Sequence, residues 1–342
     1  MPSVPHARVV TIKDVARSAG VSVATVSRVF NARHLVQEET LTRVQQVAQR
    51  LGYVPHIGAR NLVTRRTHTI GVLLPDLYGE FFSEVIRGID QTAHRQGYHL
   101  LVSSAREAGP PFEAALGAMR GRVDGLIVMS PYLDSETFRR TLTHGNPVVL
   151  LSCPPGVSGC DTVSIANFEG SRAVTRHLLS LGHRRIAMIL GAAGNFDAAE
   201  RLRGYQAAME EAGMTADPGL LLPGDFSEAS GHAAAERILA RPDRPTAVFA
   251  ANDCMAIGAL SAFREAGLTV PDDIAIAGFD DIPMARYVHP ALTSVSVEIS
   301  LLGERATARL LDALRRPVPR ETVHDTLSTT LVVRRSCGAQ RA

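Results

Sequence analysis

The sequence predicts an α/β protein: a small all-helical head followed by a body of two parallel-sheet subdomains. Three observations carry this. The 342 residues exceed what one ordinary hydrophobic core serves and suit two or three. Beyond Thr69, apolar runs of strand length alternate with longer amphipathic stretches, the rhythm of parallel strands joined by crossover helices. The charge also divides: residues 1–66 carry ten Lys/Arg against three Asp/Glu, and the remaining residues carry 26 against 31. A basic head on a mildly acidic body points to a polyanion partner for the head alone.

Composition excludes several classes. Hydrophobic residues make up 45% and charged residues 20%, which is not the balance of a disordered chain. No apolar run reaches the roughly 18 residues that span a bilayer. The first thirty residues are polar and basic, without the apolar segment of a secretion signal. A cytoplasmic protein with no membrane partner is expected. Cys153, Cys160, Cys254 and Cys337 form no C-x-x-C pair and read as reduced thiols. Lys13 is the one lysine among 36 basic residues, and an arginine bias this uniform reads as genomic.

In the head, Thr11 can cap a short helix whose apolar positions Ile12, Val15, Ala16 and Ala19 keep helical spacing. Gly20 allows a tight turn, and Ser22 can cap a second helix beginning at Val23. Val26 and Val29 then point inward with Val15 and Val21. Val23, Ala24, Ser27 and Arg28 are left on or near the outer face. This is the helix-turn-helix pattern, whose second helix enters the major groove of DNA. A third helix, from about Glu38 to Leu51, stops at Gly52 and closes a three-helix core.

The run TIKDVARSAGVSVATVSRVFN from Thr11 to Asn31, Gly52–Tyr53 with Pro55, and Ala59–Arg60 with Leu62 resemble the LacI/GalR family of bacterial transcriptional regulators. The resemblance extends along nearly the whole chain. It implies base contacts by Val23, Ala24, Arg28 and Leu62, and phosphate contacts by Thr11, Ser22, Thr25, Ser27, Asn31 and Tyr53. The chemistry agrees. Arg28 can donate two hydrogen bonds to guanine, Val23 and Ala24 offer only apolar contact, and hydroxyls suit phosphate oxygens. The family pattern makes residues 1–55 the DNA-binding domain and 56–66 a hinge helix that orders on the operator. Leu62 would wedge into the minor groove there, with Arg60 nearby. Two residues depart from the pattern: His56 replaces a small polar residue, and Gly58 stands where a β-branched residue is usual. Glycine costs about 1 kcal/mol of helix propensity relative to alanine, so a hinge more dependent on DNA for its order is expected.

In the body, the strands read as TIGVLLP, HLLVSS, DGLIVMS, NPVVLLS, RRIAMILG, TAVFAAND and DIAIAGFDD, with FFSEVIRGIDQTAHRQGY as the first helix. These are too many strands for one sheet of ordinary width. Ligands of such sheets bind beyond the carboxyl ends of the strands. Asp76, Arg201, Asn252 and Asp280 stand at such ends or in the helix that follows, and Phe82 and Phe226 offer flat apolar faces. Asp and Asn at strand ends also commonly cap helices and turns.

The resemblance implies a two-lobed, periplasmic-binding-protein-like effector and dimerisation domain over 67–342. Its N-lobe would take about 67–165 and 296–328, and its C-lobe about 166–295 and 329–342, with crossings near 163–168, 293–297 and 326–330. It maps effector contacts onto Asp76, Phe82, Arg201, Phe226, Asn252 and Asp280. Asn195 replaces an arginine, and Ser152 an acidic residue, of the purine-responsive branch, which argues against a purine without identifying a sugar.

Catalysis finds little support. GAAGNF at Gly191 lacks the G-x-G-x-x-G spacing, and the only lysine lies outside any phosphate loop. The adjacent acids Asp280–Asp281 come without a nucleophile or metal cluster. No cofactor and no metal are expected, and the twelve histidines show no ligand spacing. The reading is a repressor that binds a near-palindromic double-stranded operator as a homodimer and is switched by a small-molecule effector. A corepressor-dependent regulator with a nucleobase-like effector and, remotely, a solute-binding protein remain the alternatives. Replacing Leu62 with Ala should weaken operator binding more than nonspecific DNA binding in a gel-shift titration. Equal loss on both DNAs would reject the wedge.

Overall fold

A computed structural model describes residues 10–31, 33–53, 66–105, 110–129, 131, 146–154, 159–316 and 321–339. The chain divides into two compact units, Met1–Thr67 and His68–Ala342. The first unit holds α1 (Ile12–Ala19), α2 (Val23–Asn31) and α3 (Glu38–Leu51). The Asp14 carboxylate accepts hydrogen bonds from Thr11 N (3.0 Å) and Thr11 Oγ1 (2.7 Å), which ties the start of α1. Gly20 ends α1 in the left-handed region (φ 67°), a conformation that costs any residue with a β-carbon, and Val21 N returns to Ala16 O. Ser22 Oγ then accepts from Thr25 N at 3.1 Å and starts α2. Val15, Ala16, Ala19, Val26, Val29, Val44, Val47 and Ala48 form the core. Residues this small allow three short helices to close on one another.

The second unit is built on two six-stranded sheets. The first comprises β1 (Thr69–Leu74), β2 (His99–Ser104), β3 (Gly125–Met129), β4 (Val148–Leu151), β5 (Asp161–Ile165) and β11 (His324–Leu327). Its order is β11-β5-β4-β3-β1-β2, parallel throughout. The second comprises β6 (Ile186–Ile189), β7 (Leu221–Leu222), β8 (Ala247–Ala250), β9 (Ala275–Asp280), β10 (Thr293–Ser296) and β12 (Thr330–Val332). Its order is β12-β10-β9-β8-β6-β7, and only β12 runs antiparallel to its neighbour. β4, β6, β8 and β9 are buried along their whole length, because helices cover both faces. That is why they read as continuous apolar runs rather than alternating ones.

Helices α4 (Glu80–Arg95), α5 (Pro110–Met119) and α10 (Ile299–Arg315) belong to the first sheet. The second is served by α6 (Asn167–Ser180), α7 (Phe196–Glu211), α8 (Glu228–Leu239) and α9 (Asp253–Glu265). The chain passes between the sheets three times: from β5 to α6, from β10 to α10, and from β11 to β12. The second passage begins only after Ser296, because β10 stays in register with β9 through the pair Ser296↔Asp280. The same pairing fixes the end of β9, where Asp280 stands.

α6 and α7 touch backbone to backbone. A β-carbon on Gly204 would collide with the Phe168 carbonyl oxygen and lie 2.9 Å from Ser171 Cβ. This approach sets Asn167, at the start of α6, against Arg201, one turn before Gly204. Replacing Gly204 with Ala should therefore lower the body's stability by roughly 1–3 kcal/mol in urea unfolding, the usual cost of overpacking. An unchanged unfolding midpoint would mean that the two helices have room to part.

Candidate functional site

On the head, α2 turns one side outward. Val23 (41% exposed), Ala24 and Arg28 stand in solvent, while Val26 and Val29 are buried. Thr11, Ser22 and Asn31 are exposed, and Thr25, Ser27 and Tyr53 are half-buried. Several of these polar groups also bond within the head. Ser22 Oγ lies 2.9 Å from Thr25 Oγ1, and Asn31 Nδ2 donates to Ser27 Oγ at 3.3 Å. A hydroxyl keeps a further donor or lone pair after one such bond, so these contacts orient the groups without consuming them. Tyr53 packs against Phe30 with ring centroids 5.8 Å apart, and burial raises its phenol above the ordinary value. Leu62, with His56, Gly58 and Arg60 of the expected hinge, lies outside the described residues.

In the body, the carboxyl end of the second sheet carries a chain of four polar side chains. Asp280 ends β9, and its Oδ1 stands 3.0 Å from Arg201 Nη2, both side chains about 95% buried. The contact is an ion pair rather than an aligned hydrogen bond. Arg201 Nε donates to Asn167 Oδ1 at 2.8 Å, and Asn167 Nδ2 donates to Asp197 Oδ1 at 2.9 Å. Arg201 Nη1 also donates to the Ala251 carbonyl at 2.5 Å, and its guanidinium lies 3.8 Å above the Phe279 ring. All three guanidinium nitrogens thus have partners. Burial raises the Asp280 carboxyl to about 6 against the opposing pull of Arg201. Burial likewise raises Asp197, opposed by Arg201, Ser152 and Asn167.

A third carboxyl supports the turn below. Asp253, wholly buried, accepts from Ser294 Oγ (2.6 Å) and Ile282 N (2.9 Å), while Ser294 Oγ accepts from Asp281 N (3.1 Å). Burial and the neighbouring Asp280 hold Asp253 well above the ordinary carboxyl range. Asp281 pairs with Arg334 Nη2 at 2.6 Å. Among the described residues six non-glycine residues take positive φ, and four of them are Ser152, Phe226, Asp280 and Asp281. Such conformations persist only where the surroundings impose them, and they gather at functional sites.

The structure brings Arg201, Asp280, Phe226 and Asn252 together. The Phe226 ring lies 6.0 Å from Arg201 Cζ, and its carbonyl accepts from Asn252 Nδ2 at 3.0 Å. Asn252 Oδ1 caps α9 by accepting from Met255 N at 3.0 Å, so both ends of that amide are committed. Asp76 and Phe82 belong to the other sheet. Asp76 Oδ1 accepts from Leu77 N (2.7 Å) and Tyr78 N (3.1 Å), an Asx-turn after β1. Phe82 is half-buried and edge-on to Phe81 at 5.4 Å. The lobes meet through other groups. Phe196 N donates to Pro131 O at 3.2 Å, Met284 N donates to Glu80 Oε2 at 2.8 Å, and Ser152 lies against the Asp197 carboxyl.

Sequence reasoning missed Asn167 and Asp197. Asn167 follows β5, whose five residues DTVSI are too short and too polar to announce a strand end. Asp197 sits in the first turn of α7, where an acid normally serves the helix dipole, so its residue type carried no signal.

Two family descriptions match the chain. The lacI family of bacterial regulatory proteins matches residues 11–56, and the periplasmic binding protein-like domain matches residues 175–337. The HTH-type transcriptional repressor PurR of Vibrio atlanticus (strain LGP32) is 37% identical over 310 residues, 89% of this chain and 92% of that one. The transcriptional regulator CelR in complex with cellobiose has a TM-score of 0.72 at 34% identity, covering 96% of this chain and 99% of that one. The lac repressor dimer bound to operator and the anti-inducer ONPF has a TM-score of 0.85 at 30% identity, with the same coverage.

A carboxyl raised on folding, like Asp280, favours the folded state while it is protonated. That contribution is whole below about pH 4 and lost as the pH climbs through about 6. Asp280→Asn cannot titrate, so wild-type stability measured against this variant should fall between pH 4 and pH 6–7 in denaturant unfolding. A difference that does not change with pH would show that Asp280 keeps an ordinary pKa.

Proposed function

The chain belongs to the LacI family of bacterial regulatory proteins, and on that premise we propose that it is a repressor released from or held on its operator by a small polyhydroxy effector. The observation that carries the DNA half is the outward side of α2. It presents an arginine and two small apolar residues from a helix whose start is capped by Ser22. Arg28 reads guanine through its paired donors, and Val23 and Ala24 meet the thymine methyl group. Thr11, Ser22, Thr25, Ser27, Asn31 and Tyr53 grip phosphates, and Leu62 wedges the minor groove at the operator's centre.

The effector half rests on the buried polar chain Asp280–Arg201–Asn167–Asp197 at the carboxyl end of a parallel sheet, where ligands of such sheets bind. Phe226 supplies the flat face, Asn252 holds the Phe226 backbone in place, and Asp76 and Phe82 meet the ligand from the other lobe. A sugar fits this chemistry, and a related regulator was solved with cellobiose. Effector and operator favour different arrangements of the protein, so each shifts the other's affinity by one factor. The head's small core suits a homodimer that reads two half-sites, as the related lac repressor dimer sits on its operator. The protein acts in the cytoplasm on chromosomal DNA and catalyses no reaction, in line with relatives that are transcriptional repressors.

Binding to a genomic fragment library at fixed salt tests the DNA half, since phosphate contacts make affinity steeply salt-dependent. A short palindrome should emerge. Arg28→Ala should relax one position of each half-site at a cost of about 1–3 kcal/mol. An unchanged motif would remove Arg28 from base reading, and no motif at all would overturn the proposal.

A further inference from the structure

Away from the chain crossings, two hydrogen bonds among the described residues tie the lobes of the body together. Phe196 N donates to Pro131 O at 3.2 Å, and Met284 N donates to Glu80 Oε2 at 2.8 Å. Phe196 opens α7, and Met284 lies in the short 3-10 helix Pro283–Arg286 that follows the Asp280–Asp281 turn. The amides of a first helical turn have no acceptor within their own helix. Both donors therefore find their partner in the other lobe. The two acceptors differ in kind. Pro131 offers a backbone carbonyl, which any residue at that place would supply. Glu80 offers a side chain, so this contact depends on residue type. Glu80 opens α4 behind Gly79, which has φ 93° and no side chain with which to cap the helix. A carboxylate at a helix start ordinarily serves its own helix dipole. The Glu80 carboxylate also reaches the backbone of the other lobe.

Building on the reading of the body as a two-lobed effector switch, we infer that Glu80 is a latch between the lobes. Its carboxylate holds the second lobe against the first through the Met284 amide, and it favours that arrangement before any effector arrives. The bond is charge-assisted but lies at a solvent-exposed edge, so it supplies a bias of about fivefold rather than a lock. A ligand overrides a bias of that size once its own preference between the lobe arrangements exceeds it. The place of the latch suits this task. Met284 lies just past Asp280, and Phe196, the other cross-lobe donor, stands beside Asp197. Met284 follows β9 and Phe196 follows β6, strands separated by β8, so the two bonds hold the lobes at different points. Separation of the lobes would break both. Glu80 is thus a positioning residue, which acts on the lobes rather than on the effector.

Hydrogen-exchange mass spectrometry on the full chain, with no ligand added, tests the latch on peptides covering Met284 and Phe196. Glu80→Ala should speed exchange at Met284 N about fivefold. It should also speed exchange at Phe196 N, whose acceptor the substitution leaves in place. Peptides from the core strands β8 and β9 should exchange as in the wild type, which separates lobe opening from general loosening. Glu80→Gln keeps an acceptor oxygen and loses the charge, so it should lie nearer to the wild type than Glu80→Ala does. Faster exchange at Met284 alone would make the bond a local one and overturn the latch, as would no change at either amide. A Gln variant that matches the Ala variant would assign the effect to charge at the start of α4 and overturn it too. Operator affinity, measured on the palindrome recovered from the fragment library, separates the two readings. A change of about threefold or more in Glu80→Ala ties the latch to DNA binding. Faster Phe196 exchange with constant operator affinity leaves the latch standing and overturns the reading of lobe motion as the DNA switch.

Discussion

The buried ion pair between Arg201 and Asp280 is the constraint on which the rest of the body's site depends. Two charges withdrawn from water are expensive, and their attraction offsets that expense only when good geometry and further hydrogen bonds accompany it. Here Asn167, the Ala251 carbonyl and the Phe279 ring supply those partners. Each comes from a different place: the start of α6, the end of β8, and β9 itself. The guanidinium therefore fixes the distance between a helix start and two strand ends. Loss of either ion leaves the other buried and unpaired, typically worth 3–5 kcal/mol. A site this costly to assemble holds its side chains in place before any ligand arrives, which lowers the ordering cost of binding.

The strained residues follow from the same constraint. Asp280 at φ 103° and Asp281 at φ 55° occupy backbone regions disfavoured for residues with a β-carbon. The buried Asp253 carboxyl holds Ile282 N directly and Asp281 N through Ser294, and Arg334 holds the Asp281 carboxylate. Asp253 thus does for the turn what Arg201 does for its first side chain. Asp253 is buried and raised in pKa while it holds the turn, so a perturbed carboxyl in this fold can mark structural support.

Much of the fold was legible in the sequence because its strongest elements announce themselves locally. Thr11, Gly20 and Ser22 punctuate the head at the positions the backbone uses, and β1, β3, β4 and β9 are continuous apolar runs because helices bury both their faces. Strands β7 and β12, of two and three residues, carry no period and exist through their neighbours. The site was legible at strand ends, where Asp280 and Asn252 stand, yet residue type did not separate their jobs. Asn252 spends its amide on a cap and on the Phe226 carbonyl, while Asp280 faces the guanidinium. Asn167 reaches Arg201 only through the close approach of α6 and α7 at Gly204, a tertiary event with no local signature, whereas Asp197 stands one turn before Arg201 on α7 itself.

A repressor built this way converts small-molecule binding in one unit into a change of DNA affinity in another, and thermodynamic linkage makes that conversion reciprocal. The most direct measurement pairs two titrations of the full chain at one salt concentration: operator binding with and without a sugar that binds the body, and sugar binding with and without saturating operator. Linkage predicts that both affinities change by the same factor, five-fold or more at the roughly 1–3 kcal/mol typical of such switches. A sugar that binds the body tightly while operator affinity stays constant would contradict the switch, however well the protein reads its DNA.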